Sequence, residues 1–369
     1  MKMKKIVSFI CAAVISASAL PAVGVSAKTN DSWKKAYSSF LKQEMKKSSG
    51  EDSDDFIFER GFSVQDLNSD GIPELMVSDG EWHMAQCSIY TYLGGNKLKK
   101  LGDFGEYGVA AFSPENGMLV SGYMGMGYSF TGFYKLENNK FETIITFDDD
   151  AGAVETDPTF KIDGNKVSQM YYEKRLNEYL DSTYITVGNT FSLTETDIKC
   201  ALGGYSSYKT AYKKFLSAKI PEEESQEVRY FYKKDLTGDG VPELIFSSPY
   251  GECKIFTYAD GRMQLLSYNY IGYDNNSVGY DSSAKILCFK GSSDYGISYG
   301  FYSVQDGKIS RLCELTKYNV NNGEPSYLLN SRTVTASAYS SELKKYQGYT
   351  FKKIGKKYTV SASDISKAF

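Results

Sequence analysis

This 369-residue chain has little histidine and no excess of positive charge, and each of these shortages excludes a class of function. The sequence contains one histidine, so mechanisms and metal sites that require two are excluded. Lysine and arginine number 42 against 45 aspartates and glutamates. Because nucleic acids and anionic membranes are bound through a basic face that neutralises phosphates, neither is an expected partner.

Paired metal-binding motifs are also missing. No C-x-x-C pair, H-E-x-x-H motif or Gly-rich phosphate loop occurs, which argues against Cys-ligated zinc or iron, zinc proteases and P-loop nucleotide enzymes. Tyrosine is abundant instead, with 31 residues, and aromatic residues make up 15% of the chain. That content is enough to build a core and argues against disorder.

Cysteine usage argues against a small disulfide scaffold. One of the six cysteines lies in the apolar leader described below, and the remaining odd number leaves at least one thiol unpaired. Cys87 and Cys253 occupy the same position of an internal repeat, which favours buried, inert thiols. A bridge between Cys288 and Cys313 is a further option that the sequence leaves open.

Residues 1–27 have the pattern of a signal peptide. Lys2, Lys4 and Lys5 precede an apolar stretch at 6–20, and the small residues V-S-A at 25–27 form a cleavage site. An uncleaved anchor is the alternative. Loss of the three lysines changes the net charge from −3 to −6. We therefore expect a secreted or cell-surface protein with no membrane span after cleavage.

The chain repeats itself once. The segment W-K-K-A-Y-S-S-F-L at 33–41 matches Y-K-T-A-Y-K-K-F-L at 208–216, and D-L-N-S-D-G-I-P-E-L at 66–75 matches D-L-T-G-D-G-V-P-E-L at 235–244. Later matches keep the same order, and all offsets lie between 166 and 175 residues. This pattern predicts two tandem modules, at 28–204 and 205–369.

Each module is predicted to be α+β with the β part dominant. An apolar stripe at i, i+3, i+4, i+7 and i+8 begins each copy and predicts an amphipathic helix. The turn pairs G-G at 94–95, N-N at 138–139, D-G at 260–261 and D-G at 306–307 separate predicted strands. A hydroxyl residue followed three positions later by an acid, at Thr194 and Ser361, predicts a short closing helix. The strands predicted in the first copy are 62–67, 75–78, 87–93, 97–101, 118–122, 127–136 and 141–147.

The loop at 66–74 carries the clearest chemical signal. Its side-chain oxygens stand at positions 1, 3, 5 and 9, with Gly71 at position 6 and the Ile72 carbonyl at position 7. Calcium takes six to eight hard oxygen ligands, and alternate residues of a tight loop point them at one centre. The EF-hand pattern fails at position 12, where Val77 and Phe246 replace the bidentate glutamate. Proline at position 8 directs the chain into a strand, so this is a strand–loop–strand site.

The same residues carry a family resemblance. The run 66–77, followed by C-S-I-Y-T-Y-L-G-G at 87–95, resembles a blade of the FG-GAP or VCBS calcium repeat of integrin-type β-propellers. The surrounding unit is similar to exported proteins of gut Firmicutes. The resemblance spans about thirty residues per copy and implies antiparallel, propeller-blade-like sheets. Two copies are too few for a seven-bladed propeller, and the leading helices are foreign to one.

The resemblance implies one or two structural calcium ions. Its ligand sets are Asp66, Asn68, Asp70, Ile72 through its carbonyl and Glu74 in the first copy, and Asp235, Thr237, Asp239, Val241 and Glu243 in the second. Thr237 departs from the pattern because its hydroxyl is neutral. The alternative is that both loops are ordinary Asx-Gly turns satisfied by their own backbone. Without a position-12 ligand the expected Kd is about 10⁻⁴ to 10⁻³ M.

Other chemistry-bearing residues have simpler interpretations. His83 has no counterpart in the second copy and is expected to be a loop residue. The acidic runs at 148–150 and 222–224 are expected to be solvated, since contiguous acids seldom converge on one ion. Tyrosines concentrate at 123–128 and at 268, 270, 273 and 280. Such rings suit stacking on sugars, and they suit a β-rich core equally well.

These observations predict a secreted, calcium-binding, non-catalytic protein that interacts with an extracellular protein or glycan. A carbohydrate-binding protein that uses Tyr-rich sheet faces is one alternative. A carboxylate-based glycoside hydrolase is another, because it needs only two acids and no histidine.

Overall fold

The strands and helices follow one another in the same order in the two halves of the chain. The computed structural model describes residues 31–48, 60–80, 82–125, 127–150, 159–221, 228–247, 252–270, 277–294, 296–319, 324–330 and 332–369. The predicted signal peptide at 1–27, the acidic run at 222–224 and residue 273 lie outside these residues. Ser32–Phe369 cluster as one compact unit.

Six helices occur in the described residues. Their bounds are α1 Ser32–Ser48, α2 Gln169–Leu180, α3 Glu195–Leu202, α4 Tyr208–Ser217, α5 Ala336–Lys344 and α6 Ala362–Ala368. The predicted stripes are confirmed: Tyr37 and Leu41 of α1 are fully buried, as are Tyr212 and Leu216 of α4. Helices α2 and α5 were not predicted. One buried residue apiece, Tyr172 and Tyr339, is too sparse a stripe to reveal them.

The first half contains twelve strands. They are β1 Gly61–Gln65, β2 Glu74–Ser78, β3 Cys87–Tyr92, β4 Leu98–Phe104, β5 Ala110–Ser113, β6 Met118–Gly125, β7 Tyr128–Glu137, β8 Lys140–Asp150, β9 Thr159–Ile162, β10 Asn165–Val167, β11 Ile185–Val187 and β12 Phe191–Ser192. All seven predicted strands are present. The short strands β5 and β9 to β12 were missed.

The second half also contains twelve strands. They are β13 Tyr230–Lys234, β14 Glu243–Ser247, β15 Glu252–Ala259, β16 Arg262–Tyr270, β17 Ser277–Asp281, β18 Ile286–Ser293, β19 Gly296–Gln305, β20 Lys308–Tyr318, β21 Ser326–Leu329, β22 Arg332–Val334, β23 Lys352–Lys353 and β24 Tyr358–Thr359.

These strands form four antiparallel sheets, so the described fold is β-dominated α+β. The first half has a five-stranded sheet in the order β12-β1-β2-β3-β4 and a seven-stranded sheet in the order β10-β9-β8-β7-β6-β5-β11. The second half has β24-β13-β14-β15-β16 and β22-β21-β20-β19-β18-β17-β23. Each strand of one half thus has the same neighbours as its counterpart in the other.

Irregularities recur at matching positions as well. A register shift follows Phe133 in β7, and another follows Phe301 in β19. The glycine just before each shift leaves room for the tyrosine ring just after it. A Cβ at Gly132 would lie 2.3 Å from Tyr134 Oη. The repeated G-F-Y triplet is therefore a packing motif.

One hydrophobic cluster of the described residues spans both halves. The rings of Phe191 of β12 and Phe256 of β15 are tilted, with centroids 5.5 Å apart, and the ring of Phe215 of α4 lies 5.1 Å from that of Phe256. Helix α3 of the first half packs on α4 and β16 of the second. The sequence-based division at 204–205 therefore crosses a continuous apolar core.

All five cysteines in the described region are free and buried. Cys87 and Cys253 have no exposed surface, which confirms their assignment as buried thiols. Cys288 and Cys313 both pair with Phe301, from opposite sides of β19. They lie two strands apart, about 10 Å, which is beyond disulfide reach. Separately, none of the described helices is long and apolar enough to span a membrane.

Candidate functional site

The first acidic loop joins β1 to β2 and is held by bonds between its own side chains and backbone. Asp66 Oδ2 accepts a hydrogen bond from the N–H of Gly71 at 3.0 Å. Asn68 Oδ1 accepts from Asp70 N–H at 3.0 Å, and Asp70 Oδ1 accepts from Ile72 N–H at 2.8 Å. These Asx-type bonds fold the predicted ligands into one tight turn. Gly71 has a φ of +85°, the left-handed region that glycine favours.

Glu74 lies beneath this loop and is fully buried. Its Oε2 accepts from Leu67 N–H at 3.0 Å and its Oε1 from Thr91 Oγ1 at 3.1 Å. Burial raises the pKa of Glu74 to about 8; these two bonds oppose the shift, and the charges of Asp70 and Asp66 add to it. The carboxyl of Glu74 therefore keeps its proton at neutral pH, so the charge of the loop comes from the aspartates above it.

One atom of the first loop lacks a partner. Asp66 Oδ1 is buried and accepts no hydrogen bond, and each Glu74 oxygen keeps a second lone pair. A donor set of hard oxygens with an unpaired buried carboxylate oxygen fits the chemistry of calcium. The positive charge of Arg262, in the second half, opposes the binding of a cation near Asp66. Burial lowers its pKa to about 10, an effect that Asp260 and Asp66 oppose, so this guanidinium already shares the field of Asp66.

The second acidic loop, between β13 and β14, is closed more completely by its own groups. Asp235 accepts from Gly238 N–H at 2.7 Å through Oδ1 and from Gly240 N–H at 3.1 Å through Oδ2. The Thr237 hydroxyl donates to Glu243 at 3.1 Å. Glu243 is buried, and burial raises its pKa. Asp239 accepts from Val241 N–H, as in the first copy. Neither Asp235 oxygen is left without a donor, unlike Asp66 Oδ1.

Acids and imidazole alone do not build a metal cage in this structure. Within the described ranges, no three His, Cys, Asp or Glu side chains converge closely enough to hold an ion. An ion in the first loop would therefore depend on the Asn68 amide oxygen and the Ile72 carbonyl. The acids at 148–150 end strand β8, and Asp148 accepts from the Tyr128 hydroxyl across the sheet.

A second feature is a cleft in the second half. It has a volume of about 510 Å³ and lies among β16, β18, β19, β20 and the segment that follows α2. Five tyrosines line it: Tyr184, Tyr268, Tyr299, Tyr302 and Tyr318. Tyr318 is 47% exposed. The volume falls within the range of small-molecule sites.

Polar groups lie between these rings. The Tyr302 hydroxyl donates to Glu314, and the Tyr268 hydroxyl donates to Glu252. Arg311 Nη2 donates to the carbonyls of Leu180 at 2.7 Å and Ser182 at 3.1 Å, which fixes the wall supplied by the first half. The cleft therefore combines apolar faces with hydrogen-bonding groups of both kinds.

A cleft occupies the matching place in the first half. It has a volume of about 770 Å³ and is lined by residues of β4, β6 and β7. Tyr134 and Tyr302, each just after the register shift of its strand, line the first and second cleft respectively. The first cleft carries Asp103 and Glu106. Burial alone would raise the pKa of Asp103, but hydrogen bonds from Lys100 and Ser88 outweigh it and hold that pKa below its ordinary value.

The sequence identified part of this aromatic lining. Of the predicted tyrosines, Tyr123 lines the first cleft and Tyr268 the second, whereas Tyr280 is buried. Tyr184 and Tyr299 were missed, because they come from different halves of the chain and share no local pattern. His83 is exposed in the turn before β3 and lines the first cleft.

The second cleft also contains a serine between two glycines. Residues 296–300 read G-I-S-Y-G, the spacing of a nucleophile elbow. They lie within β19, and the Ser298 hydroxyl contacts that of Thr316 at 3.3 Å. Because an elbow requires a strand-to-helix turn, this pattern is an ordinary strand segment.

The sequence matches no protein-family profile and no curated protein. Among solved structures, it is similar to a periplasmic gluconolactonase of Pseudomonas aeruginosa, with 11% identity, coverage of 73% of this chain and 72% of that one, and a TM-score of 0.19. Saccharomyces cerevisiae Sqt1 shares 12% identity over 75% of this chain and 84% of its own, with a TM-score of 0.20. A Lactobacillus plantarum protein shares 8% identity over 75% and 82%, with a TM-score of 0.18. At such scores these similarities support no assignment of fold or function.

Proposed function

We propose that the chain is an exported, non-catalytic binding protein that recognises a saccharide in the cleft of its second half. The observation that carries this proposal is the set of five tyrosines around a cavity of about 510 Å³: Tyr184, Tyr268, Tyr299, Tyr302 and Tyr318. Tyrosine offers a flat apolar face that stacks on a sugar ring and a polar tip that bonds its hydroxyls. Glu314 and Arg311 add an acceptor and a donor beside these rings.

In this proposal the protein consists of two tandem copies of one calcium-stabilised module. The matching strand orders, register shifts and loops of the two halves support a duplication. The first loop would hold calcium through Asp66, Asn68, Asp70 and the Ile72 carbonyl, with Glu74 beneath them. The unpartnered Asp66 Oδ1 supports the first loop more strongly than the self-satisfied second one. When bound, the ion would supply charge neutralisation and rigidity.

Calcium dependence is tested by the free energy of unfolding in 5 mM calcium and in excess chelator. An ion that binds the folded loop alone stabilises by RT ln(1 + [L]/Kd), which for a Kd of about 10⁻⁴ to 10⁻³ M gives about 1 to 2 kcal/mol per loop. The variant Asn68→Ala should lose the part due to the first loop. Equal stability in calcium and chelator would rule out the metal loops.

Saccharide binding is tested by affinity electrophoresis in gels that contain cell-wall or dietary polysaccharides. Tyr318→Ala should weaken retardation about fivefold, since an aromatic stacking contact contributes about 0.5 to 1.5 kcal/mol. Tyr171→Ala is the matched control, because Tyr171 is 50% exposed on α2 and lies outside the cleft. Unretarded migration in every polysaccharide would refute the proposal.

Absence of catalysis is a separate part of the proposal. Glu314 is the one carboxylate among the described residues that line the second cleft, whereas glycosidases use two that flank the scissile bond. A retained polysaccharide should therefore stay intact. Release of reducing ends that Glu314→Gln abolishes would identify a hydrolase instead.

A further inference from the structure

The rim of the first cleft carries an unusual combination of exposed side chains. Met84 is 64% exposed and Met124 is 77% exposed, and both line the cleft together with His83. His83 is the only histidine of the chain. The rim thus places two solvent-facing thioether sulfurs and one imidazole on the same cavity.

Backbone hydrogen bonds hold these residues against the same cavity. The turn that presents His83 and Met84 is closed by Ala85 N–H donating to the Trp82 carbonyl at 2.9 Å. It is tied to the neighbouring loop by Gly108 N–H, which donates to the Ala85 carbonyl at 2.9 Å.

Met124 is tied to the same neighbouring loop from the other side. Its N–H donates to Glu106 Oε1 at 2.7 Å, two residues before Gly108. The turn and the end of β6 are therefore braced by one loop, which keeps both thioethers and the imidazole on one cavity.

The chemistry of these groups selects a soft metal. Thioether sulfur prefers Cu(I) over calcium, magnesium or zinc, and imidazole suits copper as well. The cavity wall also carries Asp103 and Glu106, whose charges favour a cation.

We propose that the first cleft binds one Cu(I) ion through Met84 Sδ, Met124 Sδ and one imidazole nitrogen of His83. The site is independent of saccharide binding in the second cleft, and it is specific to the first half because His83 has no counterpart in the second. No change in oxidation state is required of the protein.

The test titrates the purified full chain with Cu(I) under anaerobic conditions, against the colorimetric Cu(I) chelator bathocuproine disulfonate. One equivalent should be withdrawn from the chelator. Met84→Leu, Met124→Leu and His83→Gln should each weaken binding by about tenfold or more, since even changes outside the ligand set cost that much at metal sites. Ag(I), a redox-stable probe of the same preference, should show the same order among the variants.

Met170→Leu is the matched control. Met170 is 82% exposed on α2 and lies outside the cleft, so this variant should bind Cu(I) like the parent protein. Because all four positions are exposed, circular dichroism should show every variant folded. Failure to compete for Cu(I), parental affinity in Met84→Leu and Met124→Leu, or an equal loss in Met170→Leu would each overturn the proposal.

Discussion

An ion pair between the two halves tests how burial determines the contribution of a charged pair to the free energy of unfolding. Asp197 of α3 has no exposed side-chain surface, and its Oδ2 accepts from Lys219 Nζ at 2.9 Å; Lys219 is 16% exposed. Asp197 Oδ2 also accepts from Ser192 N–H at 2.8 Å. Lys219→Met would leave the carboxylate buried without its cation. Breaking a buried pair in this way costs about 3 to 5 kcal/mol, and the partial exposure of Lys219 places the expected loss at about 3 kcal/mol.

The duplication supplies the control. Asp364 is the counterpart of Asp197, and it pairs with Lys367 at 3.2 Å with side chains 30% and 62% exposed. Exposed pairs contribute about 0 to 1 kcal/mol, so Lys367→Met should have little effect. Urea unfolding followed by circular dichroism measures both. Losses of similar size in the two variants would refute the argument from burial.

If burial of Asp197 causes the loss in Lys219→Met, a double variant should be more stable than Lys219→Met alone. Asp197→Asn combined with Lys219→Met removes the buried charge together with its partner, so it should recover part of the stability that Lys219→Met loses. If the two substitutions are simply additive, the pair does not couple across the junction and the loss has another cause.

Three further predictions rest on single contacts. Ser63→Ala would remove a buried hydroxyl that accepts hydrogen bonds from two backbone N–H groups at 2.7 and 3.2 Å. It should lower the free energy of unfolding in urea by about 2 to 4 kcal/mol. Ser113→Ala is the control: it removes a buried hydroxyl without a hydrogen-bond partner and should leave that free energy unchanged. The pKa of Asp281 is lowered to about 2 by the hydroxyl of Ser283 and by backbone N–H groups. Its contribution is therefore complete above the unfolded pKa of about 3.8 and is lost as the pH falls toward 2. The free energy of unfolding of Asp281→Asn should therefore fall less than that of the parent protein as the pH drops from about 3.8 to 2. The same pH dependence in both proteins would contradict this role of Asp281. Gly132→Ala would place a Cβ 2.3 Å from the hydroxyl of the tyrosine two residues on and should destabilise by about 1 to 3 kcal/mol; a parental urea midpoint would show that the ring can move aside.

Local pattern was enough to predict the elements that carry their own signal. The helical stripes at the start of each half repeat every 3.6 residues, and the turns at 138–139, 260–261 and 306–307 use residue types that tolerate the positive φ they adopt. Strands β11, β12, β23 and β24 have two or three residues each and are defined only by distant partners. No window of sequence contains that information.

The candidate sites also differ in whether their residues are close together in sequence. The acidic loops are contiguous in sequence, so their residue types and spacing were visible at once. The second cleft draws Tyr184 from the first half, Tyr268 from β16 and Tyr318 from the end of β20, which become neighbours only when the sheets stack. Glu74 was predicted from its position in the loop, yet its burial and its bond to Thr91 follow from the strand that packs beside it.

Helix α3 is covered by α4 and β16, whereas its counterpart α6 has an exposed face. Cys200 on α3 is 1% exposed beneath the second half, whereas Lys367, at the matching position of α6, projects 62% of its side chain into solvent. A further unit placed against α6 would have to strip water from that ammonium group, at several kcal/mol. Lys367 therefore disfavours the packing of another helix on α6 in the way that α4 packs on α3.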